Sequence, residues 1–297
     1  MSSWARYVER RFIEVTASRL PLPGGGATRE RWAALARLAE EDLSLARLSE
    51  GHFDALAILA ELNGPEPGPG ERWGVWAAKP AGLEVRDGRV RGVKPYCSGA
   101  RACTRALVTA GDRLFAVSPG EPIEGSWPAT GMAASDSLSV RFDDVPAEEV
   151  GPAGGYVDRP CFHHGGIGVA AVWYGGARAV ARALLGAKGP HALAHLGAVD
   201  LALTAARDAL ERAAADIDAD PLDRKGQAAA RALRVRSLVA EVAAGVLDRT
   251  GRALGAGPLC HDEAHARRVA DLTVYIRQHH AERDLAALGE RVTGEEW

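Results

Sequence analysis

The sequence predicts a mostly helical α+β protein: a short N-terminal helical segment, a small β-barrel middle domain and a C-terminal antiparallel four-helix bundle. Three observations carry that prediction. Apolar residues recur at helical spacing near the N-terminus, with no Pro between 24 and 64. The period then shortens to strand-like alternation over 72–143. From about 165 onward, long stripes spaced by three and four return. The expected boundaries are 1–70, 71–150 and 151–297, the first placed at the GPEPGPG breaker of 64–70.

In the N-terminal segment, Trp32, Leu35, Leu38, Ala39, Leu43, Leu45 and Leu48 give the helical pattern. The middle region holds short β-compatible runs, RWGVWAA, GLEVRD, RALVTAG, RLFAVS and SLSVRFDDV, separated by Gly, Pro and Asp. In VRDGRVRG, an Asp-Gly pair between two alternating runs predicts a hairpin. Residues 144–162, rich in Pro and Gly, read as a surface linker. Beyond it, Ile167, Ala170, Tyr174, Ala177, Ala181 and Leu184 mark one helix. Leu196, Val199, Leu203, Ala206, Leu210, Ala213 and Ile217 mark the clearest one. Val235, Leu238, Val242 and Val246 give a third, and Val269, Leu272 and Ile276 a fourth expected to run to about Leu288. Short connections between them favour an antiparallel bundle.

Lys plus Arg is 36 and Asp plus Glu is 39, a near-balance that argues against a nucleic-acid binder or a polybasic membrane-surface protein. Four scattered Cys without CxxC spacing disfavour a zinc ribbon or a secreted disulfide framework. The opening MSSWARYVERRF does not read as a secretory signal, and no apolar run is long enough to span a membrane. The expectation is a cytoplasmic protein.

Three segments carry candidate chemistry. In GVKPYCSGA, 92–100, Tyr96 could stack on a flat cofactor, Ser98 could hydrogen-bond a ring nitrogen and Gly99 permits close backbone approach; the same residues suit an ordinary strand ending in a Ser-Gly turn. In GRALGAGPL, 251–259, free N–H groups could cradle a phosphate, or Gly could simply cap a helix. In YIRQHHAERD, 275–284, His279 continues the apolar stripe toward the core or a cleft. His280 and Asp284, four apart, could pair as base and orienting carboxylate or form part of a salt-bridged helix face. His191 with His195 and His261 with His265 have metal-compatible spacing but no converging third ligand, and His163-His164 reads as structural within a Gly-rich turn. No GxSxG elbow, Walker loop or GxGxxG after a strand occurs.

Taken in order, GVKPYCSGARACTRALVTA, WPATGMAASDSLSVRFDDVPAEEVG, RPCFHHGGIGVAAVWYGGARAVARALL and LDRTGRALGAGPL with ARRVADLTVYIRQHHAERDLAALG resemble the acyl-CoA dehydrogenase superfamily of flavoproteins, from about residue 30 to 290. The resemblance implies an acyl-CoA dehydrogenase-like fold with an FAD site between the β domain and the bundle. Tyr96 and Ser98 match the residues facing the flavin ring, with Cys97 between them as a further candidate, and Gly255 and Ala256 match the bundle loop at the adenine diphosphate end, with Arg252, where Gln is common, as a further candidate. It also implies a homodimer or homotetramer through the bundle and a small-molecule or acyl-thioester substrate.

Departures from the family are as informative. The N-terminal helical region is about half the usual length. Ala78 and Lys79 stand where Thr and Glu are common, Gly82 follows without the usual phosphate-binding Gly-Ser-Asp loop, and KGPHALAH replaces an Arg-x-x-Phe-Gly segment. Counting from Asp271, His279 and His280 fall where the family's catalytic Glu-Gly would be. A His there resembles the flavin monooxygenase branch. The alternative position for a carboxylate base, around Trp173 and Tyr174, offers no Glu. Two functions follow: an FAD-dependent oxidoreductase with His279 or His280 in place of the Glu, or a degenerate, non-catalytic member acting as a scaffold or partner subunit.

Overall fold

In a computed structural model, residues 2–79 and 82–294 are described; Pro80 and Ala81 of the WAAKPAGLEV segment lie outside them. In chain order the helices and strands are α1 (Ser3–Thr16), α2 (Thr28–Glu41), α3 (Leu43–Glu61), β1 (Trp73–Trp76), β2 (Gly82–Arg86) and β3 (Arg89–Cys97). There follow β4 (Arg105–Ala110), β5 (Arg113–Val117), β6 (Glu121–Ile123), β7 (Leu138–Glu149), α4 (Gly155–Asp158) and α5 (Pro160–Ala181). The remainder is α6 (Pro190–Ala219), α7 (Ala228–Leu254), α8 (Gly257–His261), α9 (Glu263–Tyr275) and α10 (Glu282–Gly289). Two compact units result: Met1–Leu20, Ser44–Ala129 and Ala133–Phe162 form one, and Pro21–Leu43, Thr130–Met132 and His163–Trp297 the other.

The first unit is built on one sheet with strand order β1-β4-β5-β7-β3-β2, β6 pairing with β7. Asp87 and Gly88, at φ 49° and 70°, make the expected two-residue hairpin turn between β2 and β3. The expected small barrel is present as a curled half-barrel: among the described residues, the end strands β1 and β2 do not pair. Both ends discourage closure: β1 has four residues, and β2 exposes Glu84 and Arg86, charges that keep an edge strand in solvent. β7 curls the sheet by pairing first with β3 and then, from Ala147 to Glu149, with β5. Ala55, Ile58 and Leu59 of α3 pack into a core with Trp73, Leu107, Leu114, Ala116 and Val150. This is the helical stripe meeting the strand faces that the two periodicities demand.

The stretch 144–162 is not a linker. Its first residues extend β7 to Glu149, and Pro160 opens α5 at the first helical position, where a missing N–H is no loss. His163 and His164 therefore lie in α5 rather than in a turn, and His164 is fully buried.

The second unit contains the long helices. Val199, Ala206, Leu210, Ala213 and Ile217 of α6 are buried as the spacing requires, and so are Val235, Val242 and Val246 of α7, whereas Leu238 stays exposed. α5 is mostly apolar and mostly buried, with Arg178 the exposed charge of its last turn. Its small residues allow backbone contact with α2: a Cβ on Gly175 would stand 2.2 Å from the Ala36 carbonyl oxygen. The fourth helix ends thirteen residues earlier than expected, at Tyr275. A 3₁₀ turn over Ile276–Gln278 and an irregular step through Ala281 separate it from α10. The sequence there has neither Gly nor Pro; side chains cause the break, as described below. Among the described residues, no helix is long and apolar enough to cross a membrane.

Candidate functional site

Two interrupted elements display the residues singled out above. The first is the end of β3. Its pairing with β7 shifts register between Lys94 and Cys97. Bulges of this kind re-aim side chains. Here Tyr96 adopts φ 59° and turns its ring outward, 58% exposed, edge-on to Trp127 at 6.4 Å. Lys94 and Cys97 point the other way and are fully buried. The Lys94 ammonium donates to the Thr109 carbonyl (3.2 Å) and hydroxyl (2.9 Å), and burial lowers its pKa. Burial pushes the Cys97 thiol up, so it stays protonated and is no nucleophile.

Ser98 is half-buried beside Tyr96. Its carbonyl accepts from Trp76 Nε1 at 3.0 Å, and its hydroxyl lies 2.9 Å from that of Ser137, which lies 2.8 Å from that of Ser135. Gly99 has φ 69°; a Cβ there would meet Cys103 Sγ at 2.9 Å and Leu48 at 3.0 Å. The Gly99 N–H donates to the Ser135 carbonyl at 2.8 Å, tying the strand end to the loop that carries both further serines. The sequence drew attention to Ser98; Ser135 and Ser137 carry no motif of their own.

The second element is the turn after α9. His279 lies beyond the helix, yet points inward as its stripe position predicts, with its side chain 8% exposed. Its Nδ1 accepts the Ala281 N–H at 3.2 Å, which places the proton of the neutral imidazole on Nε2. That Nε2–H donates to the Ser237 hydroxyl at 2.9 Å. Trp173 meets the ring edge-on at 6.5 Å, and the Arg236 guanidinium covers Trp173 at 4.8 Å. Burial, then the charges of Arg236 and His280, lower the His279 pKa against the opposing pull of Asp284 and Glu241.

His280 is exposed, its Nδ1 3.5 Å from Asp284, but the pair does not stack along a helix as the spacing suggested. Instead the Asp284 carboxylate reaches back to the His280 N–H at 3.1 Å, a capping contact at the start of α10. Burial would raise the Asp284 pKa, but that N–H and the charges of His280, His279 and Arg236 outweigh it and hold the pKa low. Asp284 also lies 3.8 Å from His279 Nε2. Ser237 and Asp284 thus approach the same ring nitrogen, whereas a nucleophilic triad needs them on opposite ones.

Asp271 of α9 is 3% exposed, and its carboxylate accepts the Met132 N–H. Burial and the nearby Asp42 push its pKa up to about 7. Both acids look like ordinary helix-surface residues in sequence.

The 251–259 segment behaves as a helix end: Gly255, at φ 66°, follows α7 and donates its N–H to the Gly251 carbonyl at 2.8 Å. Gly255 and Ala256 are exposed, and Arg252, also exposed, pairs with Asp248 at 3.5 Å.

No family model and no curated protein matches the chain. Solved structures do. A complex of TdsC from Paenibacillus sp. A11-2 with FMN and indole is 18% identical at a TM-score of 0.74, over 96% of this chain and 95% of that one. A nitrososynthase from Micromonospora carbonacea var. africana is 20% identical at 0.76, over 96% and 88%. Butyryl-CoA dehydrogenase from Megasphaera elsdenii is 15% identical at 0.74, over 96% and 89%. The fold is acyl-CoA dehydrogenase-like.

Proposed function

We propose that the chain is a flavin-dependent oxidoreductase that lacks the usual carboxylate base and uses His279 for proton transfer. The observation that carries this reading is the His279 imidazole itself: inward-facing, neutral and aimed through Nε2–H at Ser237, at the position where the resemblance puts the family's Glu. The flavin is inferred from likeness, since TdsC was solved with FMN. The donor set at β3 fits such a group: an exposed aromatic face at Tyr96 next to a half-buried hydroxyl at Ser98. FAD is the form we favour, because Arg252, Gly255 and Ala256 are exposed at the end of α7, where the resemblance puts the diphosphate end, and Arg252 is engaged there only by an exposed pair with Asp248. The proposal includes the bundle of α5, α6, α7 and α9. It also includes pairing of copies into a homodimer or homotetramer through it, supported by exposed Leu193 and Leu201 on α6.

Bound flavin supplies the two-electron acceptor or donor; the chain supplies orientation and proton handling. Tyr96 walls the ring and Ser98 hydrogen-bonds it. His279 holds a proton at Nε2 that it can release, while its Nδ1 is occupied by the Ala281 N–H and accepts a proton only if that bond opens. The Asp284 carboxylate stabilises any positive charge the ring acquires. His280, exposed and paired with the same carboxylate, is the second candidate. The substrate is a small molecule or an acyl thioester.

The purified protein, or the protein after addition of FAD or FMN, is expected to show a flavin absorption band, and the mass of the extracted group distinguishes the two. With butyryl-CoA or indole as trial substrates, His279→Ala is expected to reduce turnover at least about a hundredfold without loss of fold, the scale of a lost general acid or base. A colourless protein that takes up neither flavin would establish the degenerate scaffold instead. Wild-type turnover in both His279→Ala and His280→Ala would remove the proton-transfer role.

A further inference from the structure

Three hydroxyls stand in line at the end of β3: Ser135 to Ser137 at 2.8 Å, and Ser137 to Ser98 at 2.9 Å. Ser135 and Ser137 are buried, at 1% and 6% exposure, and only Ser98 reaches the half-buried surface beside Tyr96. A serine hydroxyl has one hydrogen and two acceptor lone pairs. In each of these contacts either oxygen can be the donor. The line therefore has two self-consistent senses. In one, Ser137 donates to Ser98, and the Ser98 hydrogen is left to point outward. In the other, Ser98 donates inward to Ser137 and presents a lone pair.

A flavin ring asks for both. Its N5 accepts a hydrogen bond when the ring is oxidised and carries an N–H to donate when it is reduced. We propose that Ser137 is a positioning residue: its hydroxyl, coupled to Ser135, lets Ser98 present a hydrogen to the oxidised ring and a lone pair to the reduced one. The proposal rests on the flavin reading above. The chain makes the change by rotating hydroxyls alone, with no rotamer change and no movement of the strand.

The two senses differ in what they lose when Ser137 is truncated. With oxidised ring, Ser98 would lose an incoming hydrogen bond to one of its two lone pairs. With reduced ring, its hydrogen would be left without an acceptor, and an orphaned donor is the more costly of the two. Ser137→Ala should therefore weaken reduced flavin more than oxidised flavin.

The test titrates the intact protein with FAD and with FMN, in oxidised and dithionite-reduced form, and follows the midpoint potential of the bound group. Ser137→Ala is expected to raise the ratio of reduced to oxidised dissociation constants about fivefold and to make the potential more negative, the scale of one hydrogen bond. Ser137→Thr, which keeps the hydroxyl, restores the ratio to within about twofold. A purely structural disturbance would weaken both oxidation states together and leave the ratio unchanged. If Ser137→Ala does not fold, Ser135→Ala tests the far end of the chain, with a shift in the same direction of about twofold. An unchanged ratio in the folded variants, with wild-type protein binding flavin, overturns the role of Ser137. Failure of wild-type protein to bind either flavin overturns the underlying reading instead.

Discussion

The end of β3 and the turn after α9 are both places where a regular element is broken, and both put a residue other than Gly at positive φ: Tyr96 at 59° and Ala281 at 45°. They are held in different ways. Strand β3 is fixed by backbone crowding and neutral hydrogen bonds: Gly92 at its first register shift, between Val90 and Gly92, and Gly99 with the serine hydroxyls at its end. The helix break is fixed by ionisable side chains that capture backbone N–H groups: His279 takes Ala281, and Asp284 takes His280. Such bonds compete with helical ones and replace them locally. The first site should thus fail when room is taken away, and the second when charge is changed.

The largest effect is expected on the crowded side. Gly92 has φ 122°, and a Cβ there would lie 1.9 Å from the Gly82 carbonyl oxygen. Since the obstacle is backbone of a paired strand, β2 must separate from β3 or the bulge must rearrange. Gly92→Ala is expected to cost more than about 3 kcal/mol in urea denaturation, if the variant folds at all. A loss below about 1 kcal/mol would mean the register shift between Val90 and Gly92 is pliant and that crowding does not hold β3 there.

The same contrast explains what could be read from the sequence. The β3 end was legible because its constraint is local: alternation gave the strand, Asp-Gly gave the hairpin and Ser-Gly gave the turn. The helical stripes of α6 and α7 were legible for the same reason. The turn after Tyr275 was not, because it contains no Gly or Pro and its cause is a pair of side-chain contacts that a surface-salt-bridge pattern mimics. The inward direction of His279 nevertheless followed from its stripe. Ser237, the partner of its Nε2, stands between charged Arg236 and apolar Leu238 with no motif around it. The open sheet escaped too, since a closed and a half-closed barrel share the same alternation and differ only in whether the end strands pair.

Charge on the helical side predicts a specific pH response. An acid with a raised folded-state pKa contributes stability that is complete below its unfolded value near 3.8 and lost as pH climbs through about 7, which is the case for Asp271. A His with a lowered pKa acts oppositely: the His279 contribution is present above its unfolded value of 6.5 and lost as pH falls. Asp271→Asn keeps an acceptor oxygen for the Met132 N–H and removes the buried charge. Its melting curves should coincide with wild type near pH 4 and lie above it at pH 8, by about 1 to 4 kcal/mol. The acid-side loss due to His279 should persist in both. A variant that is less stable than wild type at pH 8 would show that the carboxylate is needed charged, and that its contact with Met132 outweighs burial.

The smallest effect is also the one that divides the two sites by sign. Adding a methyl group at Gly92 should harm, whereas removing one at Ala281 should help. Ala281 has φ 45° and ψ −118°, a region open to Gly and strained for other residues. Strain of this kind costs of order 1–3 kcal/mol, and the added freedom of Gly in the unfolded chain returns roughly 0.5–1 of it. Ala281→Gly is therefore expected to stabilise the protein by about 1 kcal/mol, a rise of about 2–4 °C in the melting temperature for a chain of this size. Its N–H still reaches His279 Nδ1, so fold and tautomer are kept. If stability rises while turnover falls, the strained step is what holds His279 in its working orientation, because a freer backbone would let the imidazole exchange Ala281 for another partner. If stability falls instead, the methyl group makes contacts worth more than the strain, and the turn after α9 is held by crowding after all, like the end of β3.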